Sequence, residues 1–226
     1  MRKKSRLRKY NRQQTGILIF IGIIALLLGI YYGNGKQNTH QGIAKWDTSQ
    51  LHATVFPQAR TIQAFNLINE NGQPFTAKDL ANHWTFVFFG FTNCPNICPV
   101  TMGKLKVLYS QLQQQSLPAQ VYMISIDPER DTPQRLKTYV QTFNANFHGA
   151  TGDINEINRL TKELGVVFMK LKPNDNDPQQ ASYGIEHSGS ILLFNPQGKL
   201  QALFTAPHQP QKMAQEFKQI TQHYVG

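Results

Sequence analysis

The 226-residue chain reads as an α/β sandwich, one sheet between helices, set behind an apolar N-terminal segment. Three observations lead there. From about residue 62 onward, strand-like apolar runs alternate with helical stripes. The most apolar of these runs, Thr85 to Phe91, ends at polar Thr92 and Asn93 and passes directly into a helix, as a buried central strand does. Near the N-terminus, Gly16 to Tyr32 are 17 consecutive uncharged residues, a long run for the core of a secretory signal.

In chain order, residues 1–15 are basic, with Arg2, Lys3, Lys4, Arg6, Arg8, Lys9 and Arg12, and residues 1–32 contain no acid. At 1.5 Å per residue the uncharged run covers about 25 Å, slightly short of the ~30 Å hydrocarbon core of a bilayer. Tyr31 and Tyr32 suit the far interface, and the basic residues hold the near end in the cytoplasm. Residues 16–32 are therefore expected to be a single transmembrane anchor. The competing reading is a cleavable secretory signal, with Gly33 and Gly35 near the cut. Either way the domain is exported, to the periplasm or the outer face of a bacterial cytoplasmic (inner) membrane. Residues 33–60, polar and punctuated by Gly33, Gly35, Gly42 and Pro57, read as a tether whose later part packs on the domain through Trp46, Leu51, Val55 and Phe56.

The domain itself, residues 61–226, opens with a hairpin turning at Asn71-Gly72, followed by Thr76 and Asp79 spaced as a capping box. After the central strand, Leu105, Leu108 and Leu112 mark a helix running to about Gln115. Val121 to Asp127 is a second buried strand, and Thr132 with Pro133 starts a helix buried along Leu136, Val140 and Phe143. Phe147 to Thr151 is a brief strand. Asp153 and Glu156 cap a helix carrying Ile154, Ile157, Leu160 and Leu164 that stops at Gly165, and Val166 to Leu171 is another strand. Lys172 to Ser182 is polar, rich in turn formers and aperiodic, and reads as a mobile loop. A hairpin follows, Ser190–Asn195 and Lys199–Thr205 around Pro-Gln-Gly, then a last helix from about Pro210 to Tyr224.

The net charge of +10 is a matter of location. Seven of the 23 cations lie before residue 13, and the remainder of the chain sets 16 against 13 acids. No basic groove remains and the aromatics fall at core spacings, so nucleic acid is not an expected partner.

Chemistry concentrates at the only two cysteines, Cys94 and Cys98. Spaced i, i+4 at the start of a helix, they face the same way, and the helix N-terminus favours thiolate over thiol. The pair suits a soft metal or disulfide chemistry. A purely structural disulfide is a poor use of it, since so short a loop removes little unfolded-state entropy. Among seven histidines, His187 stands out in Glu-His-Ser-Gly-Ser, between the polar loop and an apolar strand. Two thiolates with one imidazole suit copper, Cu(I) through the sulfurs and Cu(II) with the imidazole added; a structural zinc site would normally want four ligands. Asp127 lies at a strand's C-terminal end, where sites in such folds gather, although a turn-forming role before Pro128 reads equally well; Asp131 reads equally as a charge suited to the following helix dipole.

At these residues the chain resembles the Sco (SenC, PrrC) family, over roughly residues 62–224. Three separated motifs carry the likeness: G-F-T-N-C-P-N-I-C-P, S-I-D-P-E-R-D-T-P and Y-G-I-E-H-S-G-S-I-L-L-F-N-P-Q-G. The resemblance implies a thioredoxin-like fold, a central mixed sheet flanked by helices with an N-terminal β-hairpin, behind a single transmembrane helix. It implies one copper ion per monomer, bound by Cys94, Cys98 and His187, with the cysteines also cycling between dithiol and disulfide and Asp127 close by; Asp131, four residues on, is a further candidate for the surroundings of the site. It implies delivery of that copper to the CuA site of cytochrome c oxidase subunit II, with another copper chaperone and a thiol reductase as further partners. The rival role is thiol-disulfide exchange on oxidase or other exported cysteines without copper delivery, which needs both thiols but not His187. Neighbouring classes fit less well. A thioredoxin-type reductase would show C-x-x-C where this chain has three intervening residues, and no Pro-x-x-x-Thr/Ser-x-x-Cys of a peroxiredoxin ends at either cysteine.

Overall fold

The computed structural model describes residues 22–25, 46–171 and 184–224. Residues 22–25 are helical. The rest of the expected anchor at 16–32 and the loop expected at 172–182 lie outside the described residues, and among those described no helix is long and apolar enough to cross a membrane.

Eight strands form one sheet. In chain order they are β1 (Thr54–Arg60), β2 (Asn66–Asn69), β3 (Pro74–Thr76), β4 (Thr85–Gly90), β5 (Gln120–Ser125), β6 (Phe147–Thr151), β9 (Ile191–Phe194) and β10 (Leu200–Phe204). They lie side by side as β1-β10-β9-β4-β5-β6-β2-β3. The remaining two, β7 (Phe168–Lys170) and β8 (Ile185–His187), pair with each other as a separate ribbon. Strands β4, β5 and β6 run parallel and the other pairings are antiparallel, so the sheet is mixed. The helices are α1 (Ile97–Gln114), α2 (Pro133–Phe143), α3 (Ile154–Leu164) and α4 (Pro210–His223). The hairpin at Asn71-Gly72 forms as expected, Gly72 taking a positive φ of 76°.

Strand β4 is the centre. All six of its residues are buried, which a strand achieves only when both faces of the sheet are covered. Phe86 packs on Phe217 of α4 at 5.3 Å, Tyr109 of α1 meets Phe147 edge-on, and Leu136 of α2 closes over Gly149. Parallel register puts Phe86, Val121 and Phe147 on one face, so α1, α2 and α4 share that face. This is the arrangement that right-handed crossovers from β4 to β5 to β6 require. Helix starts are set locally: the Thr132 hydroxyl accepts from the Arg135 N–H with Pro133 in the first turn, and Asp153 accepts from Asn155 and Glu156.

One segment differs from its sequence reading. Residues 54–60, the expected end of the tether, form edge strand β1 against β10, with the register slipping between Val55 and Arg60 around Pro57. Proline is tolerated there because an edge strand has one side that needs no donor and a bulge absorbs the rest. Trp46, Leu51 and Phe56 pack against the core, and Val55 is part of it.

Candidate metal centre

The C-terminal ends of β4 and β5 lie side by side, Gly90 opposite Ser125, and the chain leaves both in turns. After β4 the turn is Phe91–Asn96, with α1 beginning at Ile97. Cys94 is therefore not on the helix, as its spacing suggested, but in the turn before it. Cys98 lies in the first helical turn, and its backbone N–H donates to the Cys94 sulfur at 3.4 Å. The N-cap residue Asn96 makes no side-chain capping bond, so the Cys94 sulfur takes the orphan donor a cap would take.

Cys98 is completely buried, with its sulfur against Gly90. A Cβ at position 90 would sit 3.0 Å from that sulfur and 2.7 Å from the Phe88 ring, so glycine is what lets the thiol reach the strand end. His187 ends β8, four residues before Ile191, which pairs with Phe88. Because β9 runs antiparallel to β4, this lead-in passes over the end of β4 and carries the imidazole to the thiols. Its Nε2 is 3.2 Å from the Cys98 sulfur, and the ring sits near Phe88 and Phe91 at centroid distances of 5.7 and 6.1 Å. Both cysteines are free thiols.

The ligand atoms of Cys94, Cys98 and His187 all lie within 4.8 Å of one another, and among the described residues no further His, Cys, Asp or Glu joins this set. The electrostatics divide the thiols into unequal partners. Cys94 is drawn down to about 4, chiefly by the hydrogen bond from the Cys98 thiol, against the cost of burial and with help from His187 and the backbone N–H groups of Cys98 and Asn96. Cys98 is pushed far up, because it supplies that proton and because it is buried. The pair thus holds one proton, with the charge on Cys94. Two sulfurs and one nitrogen converging on one point are a soft set that fits a copper-like ion and falls one ligand short of a structural zinc site.

Asp127 and Asp131 stand outside that set. Asp131, completely buried, accepts from the Thr92 backbone N–H at 2.9 Å, the Thr92 hydroxyl and the Ser125 hydroxyl at 2.7 Å. It ties the turn carrying Cys94 to the end of β5. Asp127 pairs with Arg130, and its backbone N–H donates to Ser125 Oγ at 3.0 Å. Arg130 lies over the Phe91 ring at 5.8 Å. Arg135 completes the brace from α2, donating to Thr92 Oγ1 at 2.8 Å and to the Asn93 side chain. Thr92, Ser125 and Arg135 were not singled out in the sequence, where Thr92 and Arg135 look like an ordinary strand end and an ordinary helical surface residue.

The SCO1/SenC family model matches residues 54–222. A candidate copper-binding protein of Stutzerimonas stutzeri is 38% identical over 159 residues, covering 70% of this chain and 76% of that one. Among solved structures, Arabidopsis thaliana ScoI with copper bound is similar at a TM-score of 0.66 and 30% identity, over 72% of this chain and 98% of that one. Yeast Sco1 with copper bound is similar at a TM-score of 0.65 and 29% identity, over 74% and 91%.

Proposed function

The chain belongs to the SCO1/SenC family, and from that premise we propose that it binds one copper ion through Cys94, Cys98 and His187 and delivers it to the CuA site of cytochrome c oxidase subunit II during assembly. The observation that carries this reading is the convergence of two sulfurs and one imidazole nitrogen within 4.8 Å at the open end of a buried strand. The copper-bound relatives of the same fold support it. Cu(I) needs only the two sulfurs; Cu(II) gains from the imidazole. The mouth is lined by Cys94, Pro95, Asn96, Ile97, Ile185, Glu186 and His187, so a partner's ligands can reach the cargo from solvent. In this proposal residues 1–15 are cytoplasmic, 16–32 anchor the protein in the inner membrane, 33 onward lift the domain off it, and the domain works on the periplasmic or outer face.

The low-lying Cys94 thiolate beside a protonated Cys98 favours a second reading, thiol-disulfide exchange. Cys94 would attack a target disulfide and Cys98 would resolve the mixed disulfide. The target gains two electrons from the pair, one proton from the Cys98 thiol and its second proton from solvent to become a dithiol, and the pair becomes a disulfide. His187→Ala separates the two, since it removes the imidazole and neither thiol. If oxidase assembly fails in cells carrying it and added copper restores assembly, the protein is a copper donor; normal assembly with copper scarce makes it a reductase.

A further inference from the structure

The His187 ring presents Nε2 to Cys98, while its Nδ1 is buried with no hydrogen-bond partner among the described residues. Metal-binding histidines usually tie that second nitrogen to a carboxylate, a carbonyl or water, which fixes the ring. Among the described residues no carboxylate or carbonyl makes that tie, and the neighbouring Phe88 and Phe91 rings supply no such bond. The aim of the imidazole must then come through its backbone. On one side the Ser188 N–H donates to the Val167 carbonyl at 3.0 Å. On the other, the Gly189 carbonyl accepts from His208 Nε2 at 2.7 Å. Gly189 itself has a positive φ of 25° and lies so close to Ile97 that a Cβ would meet its Cδ1 at 2.7 Å. Ile97 is the neighbour of Cys98.

We propose that His208 is a positioning residue that aims His187 at the thiols by holding the Gly189 carbonyl, an inference that rests on the copper reading above. His208 is suited to this. It is 5% exposed and sits at the base of α4, beside Gln209 and Pro210, so it moves with a packed helix rather than with the short β8. Its Nε2 faces a carbonyl and must carry the proton. Among the described residues its Nδ1 has no hydrogen-bond partner, and burial holds the ring toward its neutral form. The Gly189 bond is therefore the one polar contact that the described structure gives this buried side chain. It links α4 to the segment that carries the imidazole.

The test uses the full chain with two substitutions. His208→Phe keeps a buried ring and removes the donor; His208→Gln places an amide N–H near the position of Nε2. In metal-free protein, amide exchange at Ser188 should rise roughly tenfold in His208→Phe and stay at the wild-type rate in His208→Gln. With metal, His208→Phe should weaken Cu(II) by roughly 10- to 100-fold and diminish its thiolate-to-copper absorption, with Cu(I) changed by less than about threefold. Wild-type exchange and Cu(II) binding in His208→Phe would overturn the proposal. So would equal weakening of Cu(I) and Cu(II), the mark of a general structural loss. Should His208→Phe fail to fold, His208→Asn replaces it: its N–H falls short of Gly189, so Asn should loosen Ser188 where Gln does not, and identical behaviour of the two refutes the assignment. If the wild-type chain takes up no copper, the copper reading fails by itself, and the exchange comparison still decides the role of His208.

Discussion

Cys94 and Cys98 stand at the end of a six-residue strand that is buried throughout, whereas His187 stands on a three-residue strand of a separate ribbon. The thiol side is braced by a fully buried carboxylate that takes three hydrogen bonds from two neighbouring strand ends. The imidazole side is held by backbone bonds at Ser188 and Gly189, with Val167 beside the ribbon 71% exposed. The donor set thus has a more heavily braced half and a more lightly held half. Under the proposed copper delivery that difference would be functional: the two sulfurs would retain Cu(I), and the third ligand would add or withdraw without disturbing the core.

The largest effect should come from removing the brace on the thiol side. Asp131→Ala leaves the Thr92 N–H and two hydroxyls without their buried acceptor, and should cost about 3 kcal/mol or more in chemical denaturation. A loss below about 1 kcal/mol would mean the two sides are held alike. Next, Gly90→Ala forces a methyl into the Phe88 ring and the Cys98 sulfur and should cost about 2 kcal/mol while displacing that thiol. A less perturbing probe is alkylation. Cys94 should react with iodoacetamide at a nearly flat rate between about pH 6 and 8, being already thiolate, and Cys98 should resist throughout. Equal rates at the two cysteines would erase the division of labour between them.

Acid should act on a third region. Burial would raise Glu70, but the hydrogen bonds from His148 and the backbone N–H groups of Gly149 and Glu70 itself outweigh it and hold the carboxyl below its ordinary 4.5. A folded value below the unfolded one gives stability that is fully present above 4.5 and lost as pH falls through the folded value. Glu70→Gln should flatten that part of the stability profile. The effect is small, and it should leave copper binding unchanged.

Much of this was legible in the chain. The buried run of β4, the caps at Thr132 and Asp153 and the hairpin at Asn71-Gly72 are local signals, and each formed where its residues indicate. The two thiols were legible because they are the only cysteines, and His187 was singled out from seven histidines by its Glu-His-Ser-Gly-Ser setting and by the family resemblance that its motif carries. What could not be read lies in long-range pairing. Asp131 meets Thr92 across 39 residues and His208 meets Gly189 across 19, and no periodicity records either. Strand β1 was hidden by Pro57, which weakens a strand pattern although an edge tolerates it, and β8 is too short to show alternation. Cys94 was placed on the helix because i, i+4 spacing does not say where a helix begins.

The central claim is that two thiols and one imidazole hold copper with unequal duties, and copper titration of three proteins in both oxidation states tests it most directly. A structural zinc site draws ~10–16 kcal/mol from four ligands, so one ligand is worth about 3 kcal/mol, or roughly a hundredfold in affinity. The wild-type chain should bind one equivalent of Cu(I) and of Cu(II), Cys98→Ser should lose roughly that factor for both, and His187→Ala should lose it for Cu(II) alone. Stoichiometric tight binding of Cu(I) by Cys98→Ser, or equal loss of Cu(I) and Cu(II) in His187→Ala, would contradict the account.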